Sequence, residues 1–77
     1  MDKAFSIVLR QLRVAKGLSQ EDFGFKANLH RTYVSQLERG LKSPSLKTLH
    51  RIANVLAISL TELMSMVEKQ NNVLSKQ

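Results

Sequence analysis

Apolar residues recur at steps of three and four along most of the chain, which is the period of helices that bury one face. Near the start this step joins Phe5, Val8, Leu9 and Leu12, and Gly17 follows where a left-handed residue would end the helix. The sequence shows no alternation of apolar and polar residues with the period of two that a half-buried strand requires. The pattern therefore predicts an all-α chain.

Two short helices joined by a tight turn come next. Ser19 can cap the second helix by accepting a hydrogen bond from a free first-turn amide, and this helix runs to about Ala27. Asn28 opens the three-residue turn, because asparagine tolerates the left-handed backbone that such a turn demands. The third helix runs from about Arg31 until Gly40. Two helices joined so closely form the angled pair that is typical of DNA-binding proteins.

Two further helices follow a polar connection, residues 41–45, which carries the only proline. Ser45 can cap the fourth helix, and Ser59 begins a Ser-x-x-Glu capping box at the start of the fifth. Residues 70–77 are polar and lack a repeat or a cap, so we expect a frayed tail. The pattern predicts a DNA-binding and dimerisation domain at residues 1–69 and a polar C-terminal tail at residues 70–77.

Composition narrows the function classes. The 77 residues allow one small core, and the absence of cysteine excludes disulfides and thiolate metal sites. The net charge of +6 attracts polyanions, of which nucleic acid and anionic membrane are the common candidates, and charge alone does not choose between them. The apolar stretch within residues 1–12 is interrupted by Arg10, is too short for a membrane span and lacks the features of a signal peptide. We expect a cytoplasmic protein with no membrane partner, and dimerisation is expected to supplement its small core.

Several coupled features at fixed spacing resemble the XRE family, the phage-repressor-like helix-turn-helix proteins of the Cro/C1 type. They are Leu18-Ser19-Gln20-Glu21-Asp22-Phe23-Gly24, then Asn28-Leu29, then Val34-Ser35-Gln36-Leu37-Glu38-Arg39-Gly40. The resemblance covers residues 5–66 and implies an all-α, five-helix, lambda-repressor-like DNA-binding domain with its helix-turn-helix at helices 2 and 3. Within the family, His30-Arg31-Thr32-Tyr33-Val34-Ser35 looks most like the controller proteins of restriction-modification systems, although phage and chromosomal regulators share this segment. The implied function is a sequence-specific transcriptional regulator that autoregulates such an operon.

The N-terminal half of the third helix is expected to enter the major groove, as it does in helix-turn-helix proteins. Arg31 is placed to donate to O6 and N7 of guanine, Thr32 to contact thymine or a base edge, and Gln36 to bond adenine. Tyr33 and Ser35 lie between them in sequence and complete the predicted base contacts. A phosphate contact is the alternative for Arg31, and packing within the protein is the alternative for Tyr33.

The phosphates of the DNA backbone are expected to bind at the N-terminal ends of helices, because free backbone amides and the positive end of the helix dipole favour anions there. Ser19 and Gln20, at the start of the second helix, fit that role. The resemblance adds phosphate contacts from Arg39 and Lys42, which follow the recognition helix. We therefore predict that these four residues hold the DNA backbone.

The family pattern also places Arg13 opposite Glu38, so the resemblance implies a structural ion pair that ties helix 1 to helix 3. Two residues depart from the pattern. Gly24 stands where the family often has alanine, which costs about 1 kcal/mol of helix propensity but permits a closer approach of helix 3. Phe25 stands where a polar residue is usual, and we expect its ring to pack at the edge of the core, with a partner contact as the alternative.

The fifth helix offers more apolar surface than one inward stripe requires, and flexible methionines suit an interface. We therefore predict a homodimer interface from Met64, Met66 and Val67. A symmetric dimer would read the two halves of a palindromic operator about 34 Å apart on double-stranded DNA. RNA polymerase would be a further partner if the bound protein activates transcription.

Other function classes fit less well. His30 and His50 are separated, and the six acidic residues show no paired or metal-ligand spacing, so we expect no catalytic residue, no metal and no cofactor. One alternative is an antitoxin-like protein whose helix-turn-helix domain also neutralises a partner protein. An RNA-binding module is weakened by the scarcity of aromatic residues, on which single-stranded RNA recognition relies.

Overall fold

The computed structural model describes residues 1–76, which leaves Gln77, the last residue of the predicted tail, outside the described part. Its five α-helices are α1 (Asp2–Ala15), α2 (Gln20–Ala27), α3 (Arg31–Glu38), α4 (Leu46–Leu56) and α5 (Leu60–Ser75). Residues 1–76 contain no strand. The order confirms the predicted all-α, five-helix architecture. Within the same residues, every helix is too short or too polar to cross a membrane.

Serine side chains start three of the helices, as the sequence predicts. Ser19, Ser45 and Ser59 each accept a hydrogen bond from the backbone amide three residues ahead, at 3.0, 3.1 and 3.0 Å. Glu62 returns a carboxylate oxygen to the Ser59 amide at 3.1 Å, which completes the capping box. Each cap satisfies a donor that the helix itself leaves free and is worth about 1 kcal/mol.

Left-handed residues end several of the helices. Gly17 (φ 72°), Asn28 (φ 58°) and Gly40 (φ 70°) stand where the sequence predicts them. Ala57 adopts the same conformation (φ 57°) at the end of α4, and the sequence carries no signal for it. An alanine there costs roughly 1–2 kcal/mol, because its Cβ crowds the following carbonyl.

All five helices contribute to one core. Its largest fully buried side chains include Leu9 from α1, Phe23 from α2, Leu37 from α3, Ile52 from α4 and Leu63 from α5. Helix α1 packs against α3 and α5, while α2 packs against α3 and α4. The α2–α3 pair is therefore seated on a scaffold that fixes its orientation.

The fifth helix is longer than the sequence pattern predicts. It continues to Ser75, and Leu74 packs against the core as a partly buried side chain. The Ser75 hydroxyl donates to the Asn71 carbonyl at 2.9 Å. The expectation that the chain is frayed from residue 70 onward is therefore wrong for residues 70–75, because an apolar contact late in the helix holds its last turns in place.

Candidate nucleic-acid interface

The turn between α2 and α3 is tight enough to require glycine at position 24. A Cβ added to Gly24 would lie 2.4 Å from the Leu29 carbonyl oxygen, which is backbone and has little room to move. The Leu29 amide donates to the Gly24 carbonyl at 2.7 Å, and Asn28 supplies the left-handed residue. A Cβ at this position would also lie 3.5 Å from the Arg31 amide nitrogen, so the missing side chain permits the close approach of helix 3 that the sequence predicts.

The recognition helix begins with an unusual cap. His30 is the N-cap of α3, and its Nδ1 accepts a hydrogen bond from the Thr32 backbone amide at 3.0 Å. The accepting nitrogen carries no proton, so the cap requires a neutral imidazole with its hydrogen on Nε2. The sequence analysis places His30 at this helix start but does not identify it as the cap.

Four of the five predicted base-contacting residues share the outward face of α3. Because successive helical residues are about 100° apart, positions 31, 35, 32 and 36 span one side, while Val34 and Leu37 are buried on the other. Arg31 and Thr32 are exposed, and Ser35 and Gln36 are half-buried. The structure therefore brings these four together in one stripe that a DNA groove can reach.

Tyr33 does not join this stripe. It is half-buried and packs against the hydrophobic core. Its position, about 200° around the helix from Arg31, places it beside the inward-facing residues. Packing within the protein is the alternative that the sequence leaves open for Tyr33, and this packing is present, whereas a contact of Tyr33 with DNA stays a prediction.

The Arg31 side chain is paired across the turn. Its Nη1 donates to Oε2 of Glu21 on α2 at 3.0 Å, and the two side chains are 66% and 71% exposed. Sequence reasoning misses this contact, because the partners are 10 positions apart, which is beyond the spacing of three or four that brings side chains together on one helix. The contact depends on the angle at which the turn brings the two helices together.

A second arginine–glutamate pair lies beneath α3. The Nε and Nη2 of Arg13 donate to the two carboxylate oxygens of Glu38 at 2.6 and 3.0 Å. Arg13 also donates from Nη1 to the Leu18 carbonyl at 2.7 Å. The two side chains are only 11% and 3% exposed. The structure therefore places the predicted pair between α1 and the end of α3.

The electrostatics of this pair favour the charged state of Arg13. The hydrogen bond to Glu38 raises the pKa of the Arg13 guanidinium above its usual value, and the Coulombic attraction of Glu38 adds to this, whereas burial opposes it. Within residues 1–76, every fully buried side-chain nitrogen or oxygen has a hydrogen-bond partner. The ion pair therefore meets the condition under which a buried charge is tolerated.

The predicted phosphate contacts lie at the start of α2 and after α3. Ser19 is exposed, and its hydroxyl oxygen is already used in capping α2. Gln20 is half-buried, and its amide nitrogen donates to a Glu38 oxygen at 3.2 Å. Arg39 and Lys42 are exposed. Gln20 thus links the α2 start to the buried ion pair, a connection that the sequence analysis does not foresee.

Residues 9–63 match the model of the family described as Helix-turn-helix. The chain belongs to this helix-turn-helix family. The control protein C.MunI from Mycoplasma sp is 43% identical over 67 residues, which are 86% of this chain and 90% of that protein. The structure is similar to that of the restriction-modification controller protein C.AhdI from Aeromonas hydrophila, with a TM-score of 0.77, 44% identity, and coverage of 80% of this chain and 94% of that one.

A third similar protein, the controller C.Esp1396I, was solved as a tetramer in complex with its natural 35 base-pair operator. Its TM-score is 0.81 at 35% identity, with coverage of 90% of this chain and 91% of that one. Together these matches confirm the resemblance to XRE-type regulators and the lambda-repressor-like fold. The chain is a helix-turn-helix transcriptional regulator and not an enzyme, and the antitoxin-like alternative is not favoured.

The three residues predicted for the dimer interface of this helix-turn-helix chain do not all lie on one surface, although Met64 and Val67 line the same groove. Val67 is 1% exposed and belongs to the core of its own chain, so its place in an interface is corrected. Met64 lines a groove formed by α1, α4 and the segment before α4, whereas Met66 lines a groove between α1 and α5. The reason is geometric: positions 64 and 66 are about 200° apart on a helix, with position 67 facing the core between them.

Phe25 also differs from expectation. The ring is 87% exposed, so the prediction that it packs at the edge of the core is wrong. On α2 the inward positions are taken by Phe23, Gly24 and Ala27, which leaves position 25 on the solvent side. A partner contact, the alternative reading, stays a hypothesis.

Residues with metal-binding or catalytic chemistry remain dispersed. Residues 1–76 hold no group of three His, Asp or Glu side chains that is arranged to bind a metal ion. His50 is exposed on α4, and His30 is engaged as the α3 cap. The chemistry that this surface offers is hydrogen bonding and positive charge.

Proposed function

We propose that this protein is a dimeric controller-type regulator that binds a palindromic operator upstream of its own gene and autoregulates a restriction-modification operon. The observation that carries the proposal is the outward stripe of α3, which presents Arg31, Thr32, Ser35 and Gln36 on one accessible face. Recognition helices present such a stripe to base edges in the major groove. Similarity to proteins named as restriction-modification controllers supports the proposal that the regulated operon is a restriction-modification operon.

Direct base readout is assigned first to Arg31. Its guanidinium can donate two parallel hydrogen bonds to guanine O6 and N7, the commonest specific contact in protein–DNA complexes. Thr32 and Ser35 offer hydroxyls to neighbouring base edges, and Gln36 offers an amide to adenine N6 and N7. Tyr33 is expected to contribute less, because its ring packs against the core.

The DNA backbone is held by a separate set of groups. Backbone amides at the start of α2, beside Ser19 and Gln20, point their dipoles toward a phosphate. Arg39 and Lys42 add exposed positive charge beyond the other end of α3. A net charge of +6 makes this attraction general, so binding is expected to weaken as salt rises.

Dimerisation is assigned to the Met64 side of α5. In a two-fold symmetric dimer the same surface of both subunits forms the interface, so charged side chains of one sign come close to their own copies and repel them. A surface on which such charges are absent or already paired is therefore favoured for dimerisation. The Met66 groove contains Lys69, whereas the charged side chain in the lining of the Met64 groove, Asp2, already accepts a hydrogen bond from the Ser43 hydroxyl of its own chain. Met64→Glu is expected to give a monomer in analytical ultracentrifugation. The matched Met66→Glu variant is expected to stay a dimer, and the reverse result would move the interface to the α1–α5 groove.

The operator hypothesis is tested by fluorescence anisotropy on DNA from upstream of the protein's own gene, with random duplex as competitor at two salt concentrations. Arg31→Ala is expected to reduce selectivity for the operator by about 1–3 kcal/mol, because a bidentate base contact is lost. Arg10→Ala removes the same charge from an exposed position on α1. This variant should lower the affinity for the operator and for random duplex by the same factor. Equal wild-type binding to all duplexes would contradict operator recognition.

Autoregulation is tested in cells with a reporter fused to the same upstream DNA. Expression of the protein is expected to change reporter output, and Arg31→Ala to abolish the change. A rise in output would indicate activation, which requires a contact with RNA polymerase, whereas a fall would indicate repression. A reporter that ignores the protein would contradict autoregulation at that promoter.

A further inference from the structure

The ion pair between Glu21 and Arg31 stands at the point where the α2–α3 pair presents its base-reading arginine. Oε2 of Glu21 lies 3.0 Å from Nη1 of Arg31, and each partner is the first or second residue of its helix. Both side chains are mostly exposed. Nothing else within residues 1–76 forms a salt bridge with either of them.

Stability does not account for this pair. Ion pairs between exposed side chains contribute little to folding, because water and salt screen them and two long side chains must be ordered. An acidic side chain beside the proposed phosphate contacts is also unfavourable for DNA binding, since it repels the backbone. Glu21 does interact favourably with the N-terminal end of the α2 dipole, as Asp22 does on the same turn, but this interaction does not account for the pairing of Glu21 with Arg31.

Arginine geometry supplies a role for this pairing. The guanidinium has five N–H donors in a planar fork, and Nη1 alone carries two. Glu21 accepts one of them, which leaves the remaining donors free for guanine O6 and N7. An Arg31 side chain without this anchor is free to turn toward the nearest phosphates, which attract it regardless of sequence.

We infer that Glu21 is a positioning residue that holds the Arg31 guanidinium in place for guanine and away from phosphate. The inference rests on the proposed function, because it assumes that Arg31 reads a base. In this arrangement Glu21 lowers the affinity for all DNA through its charge and raises the preference for the operator through Arg31.

The test compares the ratio of operator to random-duplex affinity in five proteins at fixed salt: wild type, Glu21→Gln, Asp22→Asn, Arg31→Ala and the Glu21→Gln, Arg31→Ala double variant. Glu21→Gln is expected to bind random duplex more tightly and to lower the ratio by about three- to tenfold, a coupling of ordinary size for side chains in contact. Asp22→Asn makes the same change of charge on the same turn, at an exposed carboxylate that takes part in no salt bridge within residues 1–76. It should strengthen binding to both duplexes and leave the ratio unchanged.

The double variant shows whether Glu21 acts through Arg31. In an Arg31→Ala background, Glu21→Gln is expected to leave the ratio unchanged. An equal fall of the ratio in both backgrounds, or a ratio for Glu21→Gln no lower than that for Asp22→Asn, would overturn the inference. In those cases a selective wild type and a less selective Arg31→Ala would leave the proposed function intact. A wild-type ratio near one would overturn both.

Discussion

Two arginine–glutamate pairs link neighbouring helices in this protein, and they differ in exposure and in the number of bonds. Arg13 and Glu38 are 11% and 3% exposed, and Arg13 donates three hydrogen bonds while Glu38 also accepts one from Gln20. Arg31 and Glu21 are 66% and 71% exposed and share a single hydrogen bond. The first pair joins α1 to the end of α3, and the second joins α2 to the start of α3.

The difference shows how one pairing of residue types serves two purposes. A buried pair that loses one partner leaves an uncompensated charge, so its geometry is fixed by the folded state. An exposed pair is screened by solvent and contributes little to folding, and a single shared hydrogen bond leaves the other arginine donors accessible. The α3 helix is therefore held firmly at its C-terminal end, while the arginine at its N-terminal end remains available to a ligand.

The largest expected effect comes from breaking the buried pair. Glu38→Gln should lower the free energy of unfolding by about 3–5 kcal/mol, because Arg13 stays charged and buried without an opposite charge. Loss of a proton offers Arg13 no escape in this variant, because an arginine guanidinium stays protonated in proteins at ordinary pH even without a carboxylate beside it. Urea unfolding at fixed protein concentration, followed by circular dichroism, measures the loss.

The control removes both charges. The double variant Arg13→Met, Glu38→Leu is expected to be more stable than Glu38→Gln alone, since apolar residues of similar volume often replace a buried pair at little cost. A loss for Glu38→Gln below about 1 kcal/mol, the size expected of an exposed pair, would show that the two pairs do not differ as argued.

The second effect concerns the turn that brings the exposed pair together. Gly24→Ala should destabilise the protein by about 1–3 kcal/mol, even though alanine is the better helix former, because the new Cβ would meet the Leu29 carbonyl oxygen at 2.4 Å. The fall in the midpoint temperature of thermal unfolding measures this loss of stability. Gly17→Ala is the comparison, since its Cβ meets no atom within 4 Å and only the left-handed backbone is strained. A more stable Gly24→Ala protein would mean that the turn can widen.

Much of this scaffold follows from the sequence alone, because the signals are local. Ser19 and Ser59 cap helices through atoms three residues away, and Gly17 and Asn28 mark helix ends by their backbone freedom. The left-handed Ala57 could not be predicted, since alanine carries no preference for that conformation and the surrounding packing imposes it. The same holds for the last turns of α5, which depend on a tertiary contact.

The candidate site was harder to predict where it depends on direction. The apolar ring of Phe25 predicts partial burial, yet its place on α2 faces solvent. Composition groups Met64 with Met66, although their angular positions on α5 separate them. The Glu21–Arg31 pair spans a turn, so only the interhelical angle brings it together.

A third, smaller effect concerns the cap beside the exposed pair. His30→Ala should lower the free energy of unfolding by about 1 kcal/mol, because the Thr32 amide loses its acceptor. His30→Asn, which offers a good capping oxygen, should recover most of the loss in the same urea titration. If the His30→Ala and His30→Asn proteins had equal free energies of unfolding, the hydrogen bond from the Thr32 amide would contribute nothing measurable to the stability of α3.

The smallest expected effect comes from breaking the exposed pair itself. Glu21→Gln and Arg31→Ala should each change the free energy of unfolding by less than about 0.5 kcal/mol, and a double-variant cycle should give a coupling energy of similar size that disappears in 1 M salt. Urea unfolding at low and high salt provides the measurement. A coupling above about 1 kcal/mol that survives high salt would make Glu21 and Arg31 a structural pair like Arg13 and Glu38. Glu21 would then need no separate role in DNA reading, because stability alone would account for its position.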